Sequence, residues 1–409
     1  MRILQINCVF RKGSTGKIVS DLQEYYQKVG VDSWVVYGRG EKICAPNVYK
    51  VASEYGSKFR NFLSRYNGNL YGMGKSGLQK TIRLIERISP DVVHLQCMNG
   101  YFINLYGLLQ YLKKRNIATL LTLHAEFMYT GNCGYAFECE EWKTGCVNCP
   151  DVQKAITSKN NKATRKNWQK MKEAFAGFEN LCVAGVSDWV SDRAKCSPIL
   201  KDKKIVTVLN GLNDTVFFYR EVALLPQIEA ARRNQKKIVL FVTPHFEGEN
   251  KGGKWVLELA KQMKDEPVQF IVIGRTEQTY HYDNIDFVGV VDNPVELARW
   301  YSQADISLLV SKRETFSMIC AESLSCGTPI VGFKAGAPEL IALKDYSQFV
   351  PYGNLNMLID AIRAWLEKEF DKQEISKKAR QVYSKKTMAE NYLKEYENLL
   401  GQRSSDGKN

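Results

Sequence analysis

Short apolar runs alternate with amphipathic stretches along the chain, and this alternation predicts its elements. Continuous apolar runs are typical of strands buried in a parallel sheet, and a 3.6-residue periodicity is typical of the helices between them. In the first half, the predicted strands are residues 2–7, 33–37, 91–95, 118–123, 181–186 and 204–209. The predicted helices there include residues 77–88, 101–114 and 188–195. This order indicates a doubly wound α/β domain.

The same alternation resumes after a break. Residues 214–236 show no strand pattern and predict a linker with its own short helix. The second series of predicted strands comprises residues 237–242, 268–273, 285–288, 305–310 and 328–332. The segment 353–400 is predicted to be helical. Because 409 residues exceed the roughly 250–300 at which a single core stops growing, we predict two α/β domains.

Two carboxylates with seven residues between them flank a predicted strand-to-helix junction. Glu314 follows the strand 305–310, and Glu322 lies on a helix predicted over residues 315–326. Two helical turns separate their backbones by about 12 Å, whereas glycosidase carboxyl groups lie about 5 to 9.5 Å apart. One interpretation is that they hold two ends of a long ligand, with an anion at the backbone N–H groups of the helix start. The alternative interpretation is that Glu314 is a charge favoured by the dipole at the helix N-terminus, and that Glu322 is a solvated helix residue.

Glycines accompany basic residues in two loops. Gly13 to Gly16 follow the first strand and precede a helix, but their spacing fits neither the P-loop nor the dinucleotide pattern. Glycines still let a backbone approach a pyrophosphate closely, and a simple turn is the alternative. Lys251 precedes two glycines in the second domain. Without further signals it would be interpreted as an ordinary surface lysine.

Histidine and cysteine supply further candidate chemistry. His124 ends the strand 118–123, at the edge where parallel sheets bind ligands, although a structural role remains open. The next segment places four cysteines in a C-x5-C-x6-C-x2-C pattern, which could form a structural zinc site, with free thiols as the alternative. These cysteines are Cys133, Cys139, Cys146 and Cys149.

The net charge of +13 is located entirely in the first half of the chain. Residues 1–216 contain 31 Lys and Arg against 18 Asp and Glu, and the remainder contains 26 of each. Aromatic residues interleave the basic residues of 42–87. Such a surface attracts phosphates of lipids or of nucleic acid, and a merely solvated basic face is the alternative. No nucleic-acid motif, spanning segment or signal peptide is recognised, so we expect a cytoplasmic protein.

These features resemble family 4 retaining glycosyltransferases of the GT-B type over nearly the whole length. The resemblance rests on Glu314-x7-Glu322 followed by CGTPIVGFKAGAPELI, with support from Lys251-Gly252. The stretches GSTGKIV, TLHAEF and TGNC to WKTGCVNCP are similar to a subgroup of colanic-acid or exopolysaccharide transferases.

The resemblance implies two Rossmann-like domains facing a cleft, with a C-terminal helix crossing back to the first. By it, residues 1–215 bind the acceptor, 216–236 form the linker, 237–375 bind the nucleotide sugar, and 376–409 form the crossing helix and tail. It implies transfer of a hexose from a UDP- or GDP-sugar to a free or lipid-linked saccharide, with retention of the anomeric configuration and without a catalytic metal. The implied product is a bacterial cell-surface polysaccharide. An anionic membrane at the inner face of the plasma membrane is an expected partner, and nucleic acid is not.

The resemblance also implies roles for single residues. Glu314 would bind hydroxyls of the donor sugar, Glu322 the ribose, and Lys251 the leaving diphosphate, while His124 would lie beside the reacting sugar. The predicted backbone contacts to sugar or phosphate come from Gly13, Gly16, Thr315, Phe316 and Ser317.

The chain departs from the family pattern where an Arg usually grips the diphosphate, because the strand end reads VTPHF. His245 or Arg275 is the predicted substitute. Two other functions stay open: a sugar-nucleotide epimerase of the same fold, and a basic, zinc-containing nucleic-acid-binding protein.

Overall fold

The structure, a computed structural model, describes residues 1–406, with side chains to Gly401. The chain divides into two compact units. Unit 1 comprises Met1–Asn210 and the C-terminal segment from Met388, and unit 2 comprises Gly211–Thr387. Part of the predicted tail, residues 407–409, lies outside the described residues. No helix of the described residues is both long enough and apolar enough to cross a membrane.

Unit 1 is built on a parallel sheet. Its strands are β1 (Arg2–Asn7), β2 (Asp32–Tyr37), β3 (Val48–Lys50), β4 (Val92–Leu95), β5 (Ala118–Leu123), β6 (Leu181–Gly185) and β7 (Lys204–Thr207). They lie in the order β3-β2-β1-β4-β5-β6-β7, and every pair is parallel. The strands β4, β5 and β6 are buried along their whole length, as expected where helices cover both faces of a sheet.

The helices of unit 1 connect these strands. They are α1 (Gly13–Lys28), α2 (Glu54–Asn67), α3 (Lys75–Ile88), α4 (Leu105–Lys114), α5 (Val152–Ile156), α6 (Ala163–Phe175) and α7 (Asp188–Cys196). Two 3-10 turns, Glu126–Met128 and Glu141–Lys143, lie in the segment after β5. The helix predicted over 101–114 begins at Leu105 because the side chain of Asn104 caps it by accepting from the Gly107 N–H.

Unit 2 contains a second parallel sheet. Its strands are β8 (Lys237–His245), β9 (Val268–Arg275), β10 (Ile285–Gly289), β11 (Ile306–Leu309), β12 (Ile330–Phe333) and β13 (Ser347–Val350). Its helices are α8 (Pro226–Arg233), α9 (Gly253–Gln262), α10 (Pro294–Gln303), α11 (Met318–Ser325), α12 (Pro338–Ile341), α13 (Leu355–Leu366) and α14 (Lys372–Tyr383), with a 3-10 turn at Lys344–Tyr346. The strand order is β10-β9-β8-β11-β12-β13.

The last helix, α15 (Lys385–Asp406), packs on unit 1 from Met388 onward. His94 is wholly buried and joins this helix to the sheet, with Nδ1 2.6 Å from the Tyr396 hydroxyl. Its Nε2 lies 2.8 Å from the Thr122 hydroxyl, which in turn lies 3.0 Å from the Tyr392 hydroxyl. His94, which lies within β4, therefore has a structural role.

Both sheets have a point at which the strand order reverses. In unit 2, β8 is followed by β9 and β10 on one side, and the chain then returns to place β11 on the other side of β8. In unit 1 the same reversal lies between β1 and β4. Open α/β sheets bind ligands at the carboxyl ends of the strands that flank this point. The predicted α/β class with two Rossmann-like domains is confirmed.

Candidate functional site

Lys251 is held at the reversal point of unit 2 by a glycine pair. It lies in the loop between β8 and α9, and its N–H donates to the Gly248 carbonyl at 2.8 Å. Gly252 follows with a φ of +78°, and a Cβ atom there would lie 2.2 Å from the Val310 carbonyl oxygen. A Cβ on Gly253 would lie 2.2 Å from the Phe246 carbonyl oxygen. Only glycine permits this backbone path, and the path fixes the backbone position of Lys251.

Glu314 is held by backbone hydrogen bonds on the other side of the reversal point. It follows β11, its N–H donates to the Ala335 carbonyl at 2.9 Å, and its own carbonyl accepts from the Ala337 N–H at 3.2 Å. Glu314 and Gly336 form a parallel bridge that extends the pairing of β11 and β12. The residue is 8% exposed. The Glu314 carboxylate is therefore fixed at the carboxyl edge of the sheet.

The two predicted residues contact each other directly. Lys251 Nζ lies 2.7 Å from Glu314 Oε1. Asn250 joins their loops, because its amide donates to the Arg313 carbonyl at 2.9 Å and its Oδ1 accepts from the Arg313 N–H at 3.0 Å. The result is an ordered cation beside an ordered carboxylate. A cation here attracts phosphate, and a carboxylate accepts hydrogen bonds from hydroxyl groups.

The helix after Glu314 begins three residues later than predicted. Ser317, with a φ of +79°, is the N-cap of α11, and its hydroxyl accepts from the Cys320 N–H at 3.3 Å. Thr315, Phe316 and Ser317 therefore precede the helix, and the first-turn amides are those of Met318 and Ile319. A positive φ at a non-glycine residue costs about 1–3 kcal/mol and is common at functional sites. The serine N-cap is a signal that the sequence contained.

Glu322 lies half-buried on α11, where the Tyr301 hydroxyl donates to its Oε2 at 3.2 Å. Burial, and secondly the charge of Glu322, raises the pKa of Tyr301 well above its usual value, so this hydroxyl remains a donor. Sequence reasoning missed Tyr301. It also missed Glu339, whose carboxylate accepts from the Ala335 and Gly336 N–H groups at 3.0 and 3.1 Å and so orders the strand end that holds Glu314.

The two predicted substitutes for the missing Arg lie in different surroundings. His245 Nε2 lies 3.1 Å from Glu277 Oε1 and 3.5 Å from Glu247 Oε2, so carboxylates already surround it. Such a position disfavours an anion. Arg275 is exposed at the end of β9, beside His245 on β8. Arg275 is the better placed of the two for a phosphate, and its role stays a prediction.

His124 lies directly after β5 in unit 1, at the predicted sheet edge. Its Nε2 is 2.8 Å from Gln96 Oε1, so Gln96, which follows β4, orients the ring. Burial lowers the pKa of His124 to about 4, which makes the ring neutral at pH 7. Its proposed role is therefore that of a hydrogen-bonding group rather than a cation. Nothing local in the sequence identified Gln96.

The glycine segment of unit 1 forms helix rather than loop. Gly13 is the first residue of α1 and has a φ of +64°, and Gly16 lies in the first turn. The Gly16 carbonyl accepts from the Arg11 N–H at 3.0 Å, which folds residues 11–16 back on themselves. The prediction of a loop here was wrong. The binding role of both glycines stays a prediction.

The four clustered cysteines do not form the predicted zinc site. Among the side chains that the structure describes, no group of three or more His, Cys, Asp or Glu residues is placed to hold a metal ion. All four cysteines are free thiols. Burial raises the pKa of Cys133 and Cys146, and neighbouring cysteines raise it further.

A buried ion pair and a tryptophan stabilise this segment instead. Arg193 Nη2 lies 2.7 Å from Oε1 of the wholly buried Glu126, whose Oε2 accepts from the Ala136 N–H at 2.7 Å. The Arg193 guanidinium also stacks 4.8 Å from the ring centre of Trp142. Trp168 donates to the Trp142 carbonyl at 2.8 Å and thereby joins the segment to α6.

Comparison with known proteins defines the class. Residues 236–368 match the family model described as Glycosyl transferases group 1, and this range contains Lys251, Glu314 and Glu322. The chain is a glycosyltransferase. Its second unit carries a domain of the glycosyl transferases group 1 family.

Two curated relatives extend the similarity. The chain is 23% identical over 431 residues to the putative colanic acid biosynthesis glycosyl transferase WcaC of Escherichia coli K12, covering 98% of this chain and all of the relative. It is 24% identical to N-acetyl-alpha-D-glucosaminyl L-malate synthase of Bacillus anthracis over 51% of this chain and 56% of that protein.

Solved structures confirm the GT-B fold. Sucrose-phosphate synthase from Thermosynechococcus elongatus aligns with a TM-score of 0.68 at 15% identity, over 98% of this chain and all of that chain. Anabaena HepE in complex with UDP-glucose aligns with a TM-score of 0.62 at 13% identity, over 97% of this chain and all of that one.

Proposed function

We propose that this glycosyltransferase moves a hexose from a UDP- or GDP-sugar to a saccharide or lipid-linked saccharide, with retention, in the synthesis of cell-surface polysaccharide. The observation that carries the proposal is the Lys251–Glu314 contact of 2.7 Å at the β8/β11 reversal point. The name of WcaC supports polysaccharide synthesis. The UDP-glucose complex of HepE, which has the same fold, supports a nucleotide-sugar donor.

In this proposal each end of the donor meets a different group of unit 2. The Glu314 carboxylate accepts from hydroxyls of the sugar, and the Lys251 cation neutralises the diphosphate. Glu322, oriented by the Tyr301 hydroxyl, accepts from the ribose. Phosphate also meets the first-turn amides of α11, at the positive end of its dipole. Arg275 is the proposed additional cation. The roles of His124, Gly13 and Gly16 belong to unit 1 and stay predictions.

The proposed reaction is a front-face displacement. The bond between the anomeric carbon and the diphosphate oxygen breaks, and a bond to the acceptor oxygen forms on the same face of the sugar. The proton of the acceptor hydroxyl passes to the departing diphosphate oxygen. Lys251 stabilises the negative charge that develops on this leaving group, and the proposal assigns this task to protein groups rather than to a metal. For a lipid-linked acceptor, the enzyme works peripherally at the inner face of the plasma membrane.

A thermal-shift panel of UDP-, GDP- and ADP-sugars tests the donor assignment. A donor at about one hundred times its Kd adds about 2.7 kcal/mol to the stability of the native state. We expect a raised melting temperature with one nucleotide class in the wild type and no rise in Lys251→Ala. Lys261→Ala, which removes an exposed lysine from α9, is the matched control and retains the rise. An unchanged rise in Lys251→Ala contradicts the proposed diphosphate contact.

A further inference from the structure

Helix α2 of unit 1 exposes its aromatic residues and buries serines. Its fully buried residues are Ser57 and Ser64. Its exposed aromatic residues form what we call the aromatic stripe: Tyr55 (87% exposed), Phe59 (61%), Phe62 (52%) and Tyr66 (54%). A surface helix of a globular protein ordinarily turns its apolar residues toward the core. The inverted arrangement indicates that this helix presents its apolar side to something other than unit 1.

The aromatic stripe runs along one helix face. Its members are spaced i, i+4, i+7 and i+11, which places them on one side over about 16 Å. Phe62 and Tyr66 also contact each other edge to face, with ring centres 5.3 Å apart. A contiguous exposed apolar patch of this kind marks an interaction site.

Contacts within unit 1 hold the helix in place. The Ser53 hydroxyl caps it by accepting from the Gly56 N–H at 3.1 Å, and Glu54 Oε1 lies 2.5 Å from Arg39 Nη2. Arg60 anchors its middle by donating to the Tyr101 carbonyl at 2.5 Å. These contacts lie on the side that faces unit 1. These contacts leave the aromatic side chains of the stripe exposed.

A basic cavity adjoins the end of the stripe. The Lys159 N–H donates to the Arg65 carbonyl at 2.7 Å, and the Asn167 amide donates to the Gly68 carbonyl at 2.8 Å. These bonds join the end of α2 to the start of α6. The Lys159 ammonium lies 5.3 Å from the ring centre of Tyr66. The end of the stripe at Tyr66 therefore adjoins the N-terminal part of α6.

This cavity has a volume of about 660 Å³ and lies between residues 144–147 and α6. Its basic lining residues are Lys162, Arg165, Lys166 and Lys170, with Glu173 as the acidic one. In the described part of the chain, none of these four cations forms a salt bridge. Burial, and then the charge of Lys166, lowers the pKa of Lys170. Crowded cations beside one carboxylate favour an anionic ligand.

We propose that the aromatic stripe and the basic cavity form one docking surface for a bilayer that contains anionic phospholipid. The aromatic side chains enter the headgroup region, where Tyr and Phe bury an apolar ring, and the cations of the cavity contact lipid phosphates. Charge complementarity favours this occupant, because an anionic bilayer supplies both an apolar layer and a phosphate plane. This surface is where the membrane association of the proposed function would occur, and the inference rests on that function.

Vesicle co-sedimentation of the full chain, without donor or acceptor, tests this inference. The probes are vesicles of phosphatidylcholine alone and vesicles that also contain phosphatidylglycerol. We expect binding to the anionic vesicles only, with affinity falling as salt rises. Phe59→Ser/Phe62→Ser lowers the affinity about tenfold or more, because burial of a Phe side chain is lost. Lys162→Glu/Arg165→Glu/Lys166→Glu lowers it roughly a hundredfold, since three cations near the surface are removed.

Matched controls lie in unit 2. Val290→Ser/Val295→Ser removes exposed apolar side chains and is the control for the stripe variant. Lys261→Glu/Lys264→Glu/Lys377→Glu makes the same charge change as the cavity variant. Both controls are expected to bind vesicles as the wild type does. All variants retain the wild-type melting temperature.

The inference is overturned by no vesicle binding by the wild type, by equal binding to both vesicles, by unchanged binding of the stripe variant, or by preferential binding to duplex DNA. A dimer that Phe59→Ser/Phe62→Ser dissolves identifies a second copy as the occupant and also overturns it. A wild type that binds vesicles but no nucleotide sugar refutes the proposed function alone.

Discussion

Lys251 Nζ and Glu314 Oε1 lie 2.7 Å apart although 63 residues separate them in sequence. One follows β8 and the other follows β11, the two strands that flank the reversal point of unit 2. The contact therefore depends on the topology of the sheet. It also means that the cation and the carboxylate are positioned before a donor binds, which reduces the ordering that binding requires.

Asn250→Ala is expected to weaken donor binding although the bonds of its side chain described above go to Arg313, which precedes Glu314. The substitution removes two hydrogen bonds that join the loops of Lys251 and Glu314, and each is worth about 1 kcal/mol. We expect a loss of unfolding free energy of about 1–3 kcal/mol and a higher donor Kd, measured by urea unfolding and calorimetry. Asn234→Ala, at an exposed residue of the same unit, is the control. An unchanged donor Kd in Asn250→Ala would show that the loops need no such link.

Gly252→Ala is expected to displace Lys251. The new Cβ would lie 2.2 Å from the Val310 carbonyl oxygen at a residue with a φ of +78°. Gly289→Ala provides a matched control, because its φ is +86° with nothing within 4 Å of the new Cβ. Backbone strain alone costs about 1–2 kcal/mol for a residue with a Cβ in the left-handed region. The loss of unfolding free energy should be larger in Gly252→Ala, and donor binding should fail only there. Equal losses in the two variants argue against the close approach.

Arg193→Met tests how the cysteine-containing segment is stabilised. The substitution leaves the Glu126 carboxylate buried without its cation, which costs about 3–5 kcal/mol. A large fall in the unfolding midpoint is expected, with partial recovery in Glu126→Gln/Arg193→Met. A chelator should leave the wild-type midpoint unchanged. A chelator-induced fall as large as that of Arg193→Met would restore the zinc hypothesis.

The pH dependence of stability should report on His124. Its pKa is lowered to about 4 in the folded state, below the usual value of about 6.5 for histidine. The unfolded chain therefore binds a proton between these pH values that the folded chain does not, and stability is lost as pH falls through this window. We expect His124→Gln to flatten the decline in unfolding free energy between about pH 6.5 and 4. An equally steep decline in this variant would contradict the assignment.

The strands were predictable because a strand buried on both faces has a continuous apolar run. Helix α2 was missed for the opposite reason, since its apolar side faces away from unit 1. Glu314, Lys251 and Glu322 were predicted from a motif, whereas the Asn250–Arg313 and Tyr301–Glu322 hydrogen bonds were not predicted. Those contacts join distant segments, and no local pattern encodes them.

The zinc prediction was wrong for a related reason. Cysteine spacing indicates proximity, whereas a metal site requires thiols that converge, and the segment is instead stabilised by Arg193 from α7. The late start of α11 could have been predicted from the sequence, because serine is a residue type that caps helix N-termini, as Ser317 does.

Glu314 is proposed to hold the sugar of a nucleotide-sugar donor, and donor turnover in Glu314→Ala measures that role. The assay measures nucleotide diphosphate released from the donor class that the thermal-shift panel identifies, in the presence of a saccharide acceptor. We expect a loss of about 100-fold or more with the fold intact, as for removal of one group that stabilises a transition state. Glu369→Ala, at an exposed carboxylate of the same unit, retains wild-type turnover. Wild-type turnover in Glu314→Ala would show that Glu314 does not hold the donor sugar.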